Sequence, residues 1–124
     1  MNMLESGEDY LEAILMLTKE KDGVHAIDVC EKLQITKPSV SVMLKKLRED
    51  KYITIDSDNH LHLTKTGLEI AEKIFERHEI LTDILIRLGV PNTKAEDDAC
   101  KLEHDLSDES WDKIKNYYYE NIKK

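Results

Sequence analysis

The chain has 124 residues, of which 40% are hydrophobic and 35% charged. That is enough apolar surface for one domain, or for two small subdomains sharing a core. The formal net charge is −8, and on bulk electrostatics this argues against a nucleic-acid partner unless basic residues are gathered locally. No apolar run approaches the roughly 20 residues needed to span a bilayer. The first ten residues, MNMLESGEDY, have no basic or apolar segment of a secretion signal. Two cysteines without a pairing pattern make no disulfide framework and fit a reducing cytoplasm.

Ser6, with Asp9 three residues on, predicts the cap of a first helix. Tyr10, Leu11, Ile14, Leu15 and Leu17 then recur at helical spacing to about Glu20, and Gly23 closes the segment. A short amphipathic helix is expected from Ile27 to Leu33, showing Val29, Cys30 and Leu33 as its apolar positions. Gln34-Ile35-Thr36 is a tight connection, Thr36 is a good N-cap, and Pro38 falls in the first turn, where a missing N–H costs nothing. Val40, Met43, Leu44 and Leu47 mark the buried stripe of a third helix ending near Asp50. The period then changes. Tyr52–Ile55 and Leu61–Leu63 read as strands around an Asp56–Asn59 turn. Thr64 caps a long helix to about Leu88, stopped by Gly89 and Pro91. Thr93–Leu106 and, after a Ser107 cap, Asp108–Ile122 complete a mainly α chain.

Two short helices, a tight turn and a following hairpin spell a winged helix-turn-helix, whose second helix would enter the DNA major groove. The charge distribution agrees locally. From Gln34 to Tyr52 there are five basic residues against two acidic ones, so this segment is net positive on an acidic chain. The candidate DNA-contacting residues are Lys37, Pro38, Ser39, Ser41, Val42, Lys45 and Lys46. Lysines suit phosphates or guanine, serine hydroxyls suit phosphate or base edges, and Pro38 and Val42 suit a thymine methyl. The plainer alternative is a helical hairpin with an ordinary solvated face, or a winged helix that contacts only protein. Asp56 and Asp58 in the wing bring negative charge toward a phosphate backbone, so its tip is expected to make little contact.

A second constellation carries metal chemistry. Cys100, Glu103 and His104 have the i, i+3, i+4 spacing of one helical face. A thiolate, a carboxylate and an imidazole suit Fe(II), Mn(II), Zn(II) or Co(II). Asp9 and Glu12 form an acidic i, i+3 pair on the first helix, and His78 lies midway along the long one. Taken singly, Cys100 is more often a core thiol, Asp9 a first-turn acid favoured by the helix dipole, and His78 a solvated histidine. Together they form a joint metal hypothesis.

Most of the chain resembles the diphtheria toxin repressor family of iron- and manganese-dependent transcriptional regulators, in the short form without a C-terminal SH3-like domain. The residues carrying the resemblance are Glu8–Glu12, Lys37–Ser41, Leu63–Gly67, Arg77-His78-Glu79 and Asp98–Glu109, in the family's order. The resemblance implies residues 1–66 as a winged helix-turn-helix DNA-binding domain and 67–124 as a helical metal-binding and dimerisation domain. It also implies a regulatory site lined by Asp9, Glu12, His78, Cys100, Glu103 and His104, with Fe(II) or Mn(II) as co-repressor. The partners it implies are a homodimer and a pseudo-palindromic operator in a bacterial cytoplasm. Asp9 and Glu12 match the manganese-responsive branch, and Cys-x-x-Glu-His matches the iron-responsive branch. At the positions of that branch's ancillary Glu and His this chain has Thr82 and Glu96.

Other readings keep the winged helix but give it a redox or small-molecule effector, with Cys30 and Cys100 as thiols, or make its acidic surface a protein-binding face. An enzyme is the weakest reading. The chain has no Gly-rich phosphate loop, zinc-protease motif or oxyanion-hole signature. Trp111 and Tyr117-Tyr118-Tyr119 read as packing or interface residues.

Overall fold

The computed structural model describes residues 5–123, with side chains from residue 7 onward. The helices are α1 (Glu5–Glu20), α2 (Ala26–Leu33), α3 (Lys37–Glu49), α4 (Lys65–Arg87), α5 (Asn92–Asp105) and α6 (Asp108–Tyr117). An antiparallel hairpin, β1 (Ile53–Ile55) and β2 (Leu61–Leu63), lies between α3 and α4. The chain divides into two compact units, and the boundary falls inside α4 between Lys73 and Ile74.

In the first unit α1 buries Tyr10, Leu11, Ile14, Leu15 and Leu17, as their spacing predicts. One expectation fails at its start. The helix already includes Glu5 and Ser6, so Ser6 sits within it rather than ahead of it, and the Ser6 side chain lies outside the described residues. Gly23 follows the helix at φ +74°, and a Cβ there would come within 2.8 Å of the His60 ring. Asp28 holds the start of α2 by accepting the His25 backbone N–H at 2.8 Å and the Lys21 ammonium at 2.9 Å, and these two bonds keep its carboxyl below the usual range. Gln34 ends α2 in the left-handed region at φ 56°. Thr36 then caps α3 by accepting the Ser39 N–H, with Pro38 in the first turn. Val40, Leu44 and Leu47 are buried and Met43 is half-buried, so the predicted stripe of α3 is the observed one.

The hairpin pairs Ile53 with Leu63 and Ile55 with Leu61. Tyr52, expected in the strand, lies just before it. Its carbonyl instead accepts the Thr64 N–H at 3.0 Å, which ties the hairpin to the start of α4. Thr64 donates its hydroxyl to the Lys51 carbonyl at 2.8 Å and accepts the Gly67 N–H at 3.1 Å, so it caps α4 as expected. Only glycine fits at position 67, because a Cβ would stand 2.1 Å from the Tyr52 carbonyl oxygen.

The second unit has its own core of Ile80, Leu81, Ala99, Trp111 and Tyr118, flanked by Ile84, Leu106, Ile114 and Ile122. Gly89, at φ +106°, terminates the long helix. Ser107 caps α6 through the Ser110 N–H. The expected single helix to Ile122 is corrected by a five-residue π-helical turn, Tyr118–Ile122. The wider turn lets two adjacent tyrosines reach the same helix: Tyr118 donates to Asp83 at 2.5 Å and Tyr119 to Glu76 at 3.2 Å, both on α4. Among the described residues no helix is long and apolar enough to cross a membrane.

Candidate metal centre and DNA-reading face

The stripe of α4 that buries Ala71, Ile74, Ile80 and Leu81 is interrupted by two polar residues, Arg77 and His78. On α5 the buried positions are Ala95, Ala99 and Glu103, at intervals of four. A row of two alanines allows close packing, and it ends on a carboxylate. Glu103 is 0% exposed. His78 Nδ1 stands 3.2 Å from one carboxylate oxygen and His104 Nε2 3.5 Å from the other. Neither Glu103 oxygen accepts a hydrogen bond among the described residues. A buried carboxylate without donors is costly, and such a group in a native fold calls for an explanation.

A buried carboxylate with an imidazole nitrogen beside each oxygen offers oxygen and nitrogen donors, the two histidines meeting different oxygens rather than sharing one cluster. Such donors suit Mn(II), Fe(II) or Zn(II), so the residues present fit a divalent ion. The i, i+1 neighbours Glu103 and His104 lie together on α5, and packing of α4 on α5 adds His78, which no spacing rule placed there. Cys100 lies on the same helix but is exposed. Asp9 and Glu12 lie one turn apart on α1, and Glu12 is 7% exposed, an unusual degree of burial for an acid.

The reading face is built differently. Lys37, Pro38, Ser39, Ser41, Val42, Lys45 and Lys46 are all exposed on α3. Val42 is 72% exposed and so takes no part in the core. Ser39 takes the Thr36 hydroxyl hydrogen bond at 2.9 Å, so its own hydroxyl is held at the helix entrance.

The wing holds a cluster the sequence did not disclose. Ligand atoms of Asp56, Asp58 and His60 lie within 4.8 Å of one another. Asp56 is already engaged. One oxygen accepts the backbone N–H groups of Asp58 and His60 at 2.8 and 3.0 Å, and the other meets His62 Nε2 at 2.9 Å. The His62 bond is the main reason its carboxyl is pulled down to about 2. These contacts build the turn. Tyr118 is shifted the other way: its hydrogen bond to Asp83 pushes the phenol up to about 12.

Residues 2–61 match the model for the iron dependent repressor N-terminal DNA binding domain, and residues 64–120 match that for the iron dependent repressor metal binding and dimerisation domain. The chain belongs to the iron-dependent repressor family of metal-dependent transcriptional regulators. Among relatives, it is 38% identical over 109 residues to the HTH-type transcriptional regulator MntR of Bacillus pumilus, covering 88% of this chain and 76% of that protein. The MntR of Bacillus velezensis is also 38% identical over 109 residues, 88% of this chain and 77% of the relative. Among solved structures, a manganese-dependent transcriptional repressor in complex with manganese superposes with a TM-score of 0.78 at 27% identity, over 87% of this chain and 50% of that one. The manganese regulator SloR gives 0.75 at 30% identity, over 94% and 55%. The chain thus spans about three quarters of those curated relatives and about half the length of those solved structures.

Sequence reasoning did not single out Arg77 for its burial, although a positive charge inside an apolar helical stripe was a readable signal. It also missed the wing histidines, which no spacing rule singles out.

Proposed function

We propose that this chain represses transcription as a homodimer on a pseudo-palindromic operator when Fe(II) or Mn(II) is bound. The observation that supports the metal most directly is Glu103, fully buried with a histidine nitrogen beside each oxygen and no hydrogen bond to either. The proposed ligand set is Asp9, Glu12, His78, Cys100, Glu103 and His104, with Cys100 as the exposed member. A bound ion would supply positive charge and a fixed coordination geometry. The side chains do the rest. His78 and His104 would offer ring nitrogens and Glu103 hard oxygens, and Asp9 and Glu12 would bring the first helix into the set. Without a counter-charge these three acids repel one another, and the first helix is held loosely.

Ordering that helix fixes the reading heads of a dimer at one spacing. Half-sites one helical turn apart, roughly 34 Å, require it. The acid excess of the chain is too large for ions alone to reverse, so pre-ordering matters more than bulk charge. Residues 1–66 act as the reading head and 67–124 as the metal-binding and dimerising part. Lys37, Pro38, Ser39, Ser41, Val42, Lys45 and Lys46 meet the DNA. Regulation rather than catalysis, in the cytoplasm, follows from the same reading.

Anaerobic titration of the apo protein with Mn(II) and Fe(II), read by calorimetry and by DNA mobility shift at fixed salt, tests the proposal. The expected result is saturable binding that switches on sequence-specific DNA binding. Binding of neither ion, with the DNA shift unaffected by metal, would overturn it.

A further inference from the structure

Arg77 is the buried charge that the donor set leaves unexplained. The residue is 5% exposed. A buried cation is tolerated only where its partners repay its lost hydration, so those partners show its use. Nη1 donates to the backbone carbonyl of Glu103 at 3.1 Å. Nη2 pairs with Asp108 Oδ1 at 2.9 Å. The guanidinium carbon lies 5.4 Å from the centre of the Trp111 ring.

Each partner has a definite place. The Glu103 carbonyl belongs to the last turn of α5, where carbonyls have no partner within the helix. Asp108 is the first residue of α6, and Trp111 stands one turn further on. Arg77 itself immediately precedes His78. A single side chain therefore joins the backbone of the central carboxylate to the helix that carries one of its histidines, and locks both to α6.

We propose that Arg77 is the positioning residue of the metal centre: its bond to the Glu103 carbonyl sets the Glu103–His78 spacing before any ion arrives. This rests on the metal reading above. Arginine suits the task for three reasons: its planar fork reaches two acceptors at once, it stacks on an aromatic ring, and it is always charged. A lysine at the same place offers one compact charge and cannot do all three. Asp108 completes the device. A bare cation beside a cation site would oppose loading, and the Asp108 carboxylate neutralises it. Outer partners that orient ligands in this way typically govern metal affinity by 10–100-fold.

The test uses the full chain with Arg77→Lys and Asp108→Asn, prepared anaerobically. Three quantities are read: hydrogen exchange of amides 103–108 in the apo protein, Mn(II) affinity by calorimetry, and the absorption spectrum of the Co(II) form, which reports coordination geometry. Arg77→Lys is expected to speed exchange at 103–108, weaken Mn(II) binding by about 10–100-fold and alter the Co(II) bands. Asp108→Asn is expected to act in the same direction by a smaller factor. A fall in melting temperature with wild-type Mn(II) affinity and Co(II) bands would make Arg77 a fold residue only, and overturn the proposal. If Arg77→Lys fails to fold, Asp108→Asn decides on the same readouts. A wild-type chain that binds neither ion overturns the metal reading, and with it the site to be positioned. The apo exchange then reports on the brace alone.

Discussion

Two places among the described residues set one carboxylate beside two histidines, and the carboxylate fares differently in each. In the wing, Asp56 meets His60 and His62; on α4 and α5, Glu103 meets His78 and His104. The Asp56 side chain is 38% exposed, and both its oxygens are filled by its own turn. Glu103 is sealed from solvent and accepts no hydrogen bond among the described residues. The same three groups thus fasten a turn in one place and, in the other, leave a buried carboxylate without a hydrogen bond among the described residues. Composition does not separate the two cases. Burial and hydrogen-bond saturation do, because a saturated, hydrated carboxylate gains little from an ion and an unsaturated buried one gains much.

The sharpest way to break this comparison is to neutralise each carboxylate in turn. Glu103→Gln is expected to abolish metal-stimulated DNA binding and the metal-induced rise in melting temperature. At an ion concentration 100 times Kd that rise corresponds to about 2.7 kcal/mol in the wild type, and differential scanning of both proteins with and without Mn(II) measures it. Retention of a full metal response by Glu103→Gln would mean that the buried set is not the site.

The next effect concerns selectivity. Cys100 is the soft, exposed candidate ligand, so Cys100→Ser should lower Co(II) affinity more than Mn(II) affinity, by about tenfold in their ratio, or ~1.4 kcal/mol. Competitive titration of the two ions checks this, and an unchanged ratio removes Cys100 from the ligand set.

A smaller effect comes from a part-buried carboxylate contact, Tyr118 with Asp83. The folded pKa of Tyr118 is raised to about 12 by that bond. Its contribution to stability is therefore complete below the ordinary phenol value of about 10 and is lost as pH rises through the folded value. Asp83→Asn should move Tyr118 ionisation back toward that ordinary value and bring alkaline unfolding to lower pH. Tyrosinate absorbance during a base titration follows both.

The smallest effect is expected at the wing. The Asp56 carboxyl sits near 2 because of His62 and the turn amides. Its contribution to stability is in place above about 3.9 and fades as pH falls toward the folded value. Asp56→Asn should leave Mn(II) affinity unchanged at neutral pH and shift melting only slightly. A loss of metal response in this variant would place a working site in the wing and reverse the comparison.

Much of the fold was legible because it is written in local rules. Thr36 before Pro38, Thr64 before Gly67, and Ser107 before Ser110 announce their helices through capping bonds that involve neighbours only. The stripe Val40–Leu44–Leu47 states which side of α3 is inward, and so which lysines and serines remain exposed. Ser6 and the π-helical turn at Tyr118 escaped this reading. The described helix already includes Glu5, ahead of the expected cap at Ser6, and two adjacent tyrosines facing one helix cannot be expressed as a periodicity of 3.6.

By itself, then, the sequence determined the element order, the reading helix and the pairing of Glu103 with His104, since a helix fixes what lies three and four residues apart. Only the tertiary structure decided what those groups experience. It placed His78 of α4 against Glu103 of α5, left Cys100 on the outside, and put Arg77 where it binds the Glu103 carbonyl, Asp108 and Trp111 together. Those contacts join residues 25 or more positions apart in three helices. Their geometry and their loss of water depend on how the helices pack, which no spacing along one chain encodes.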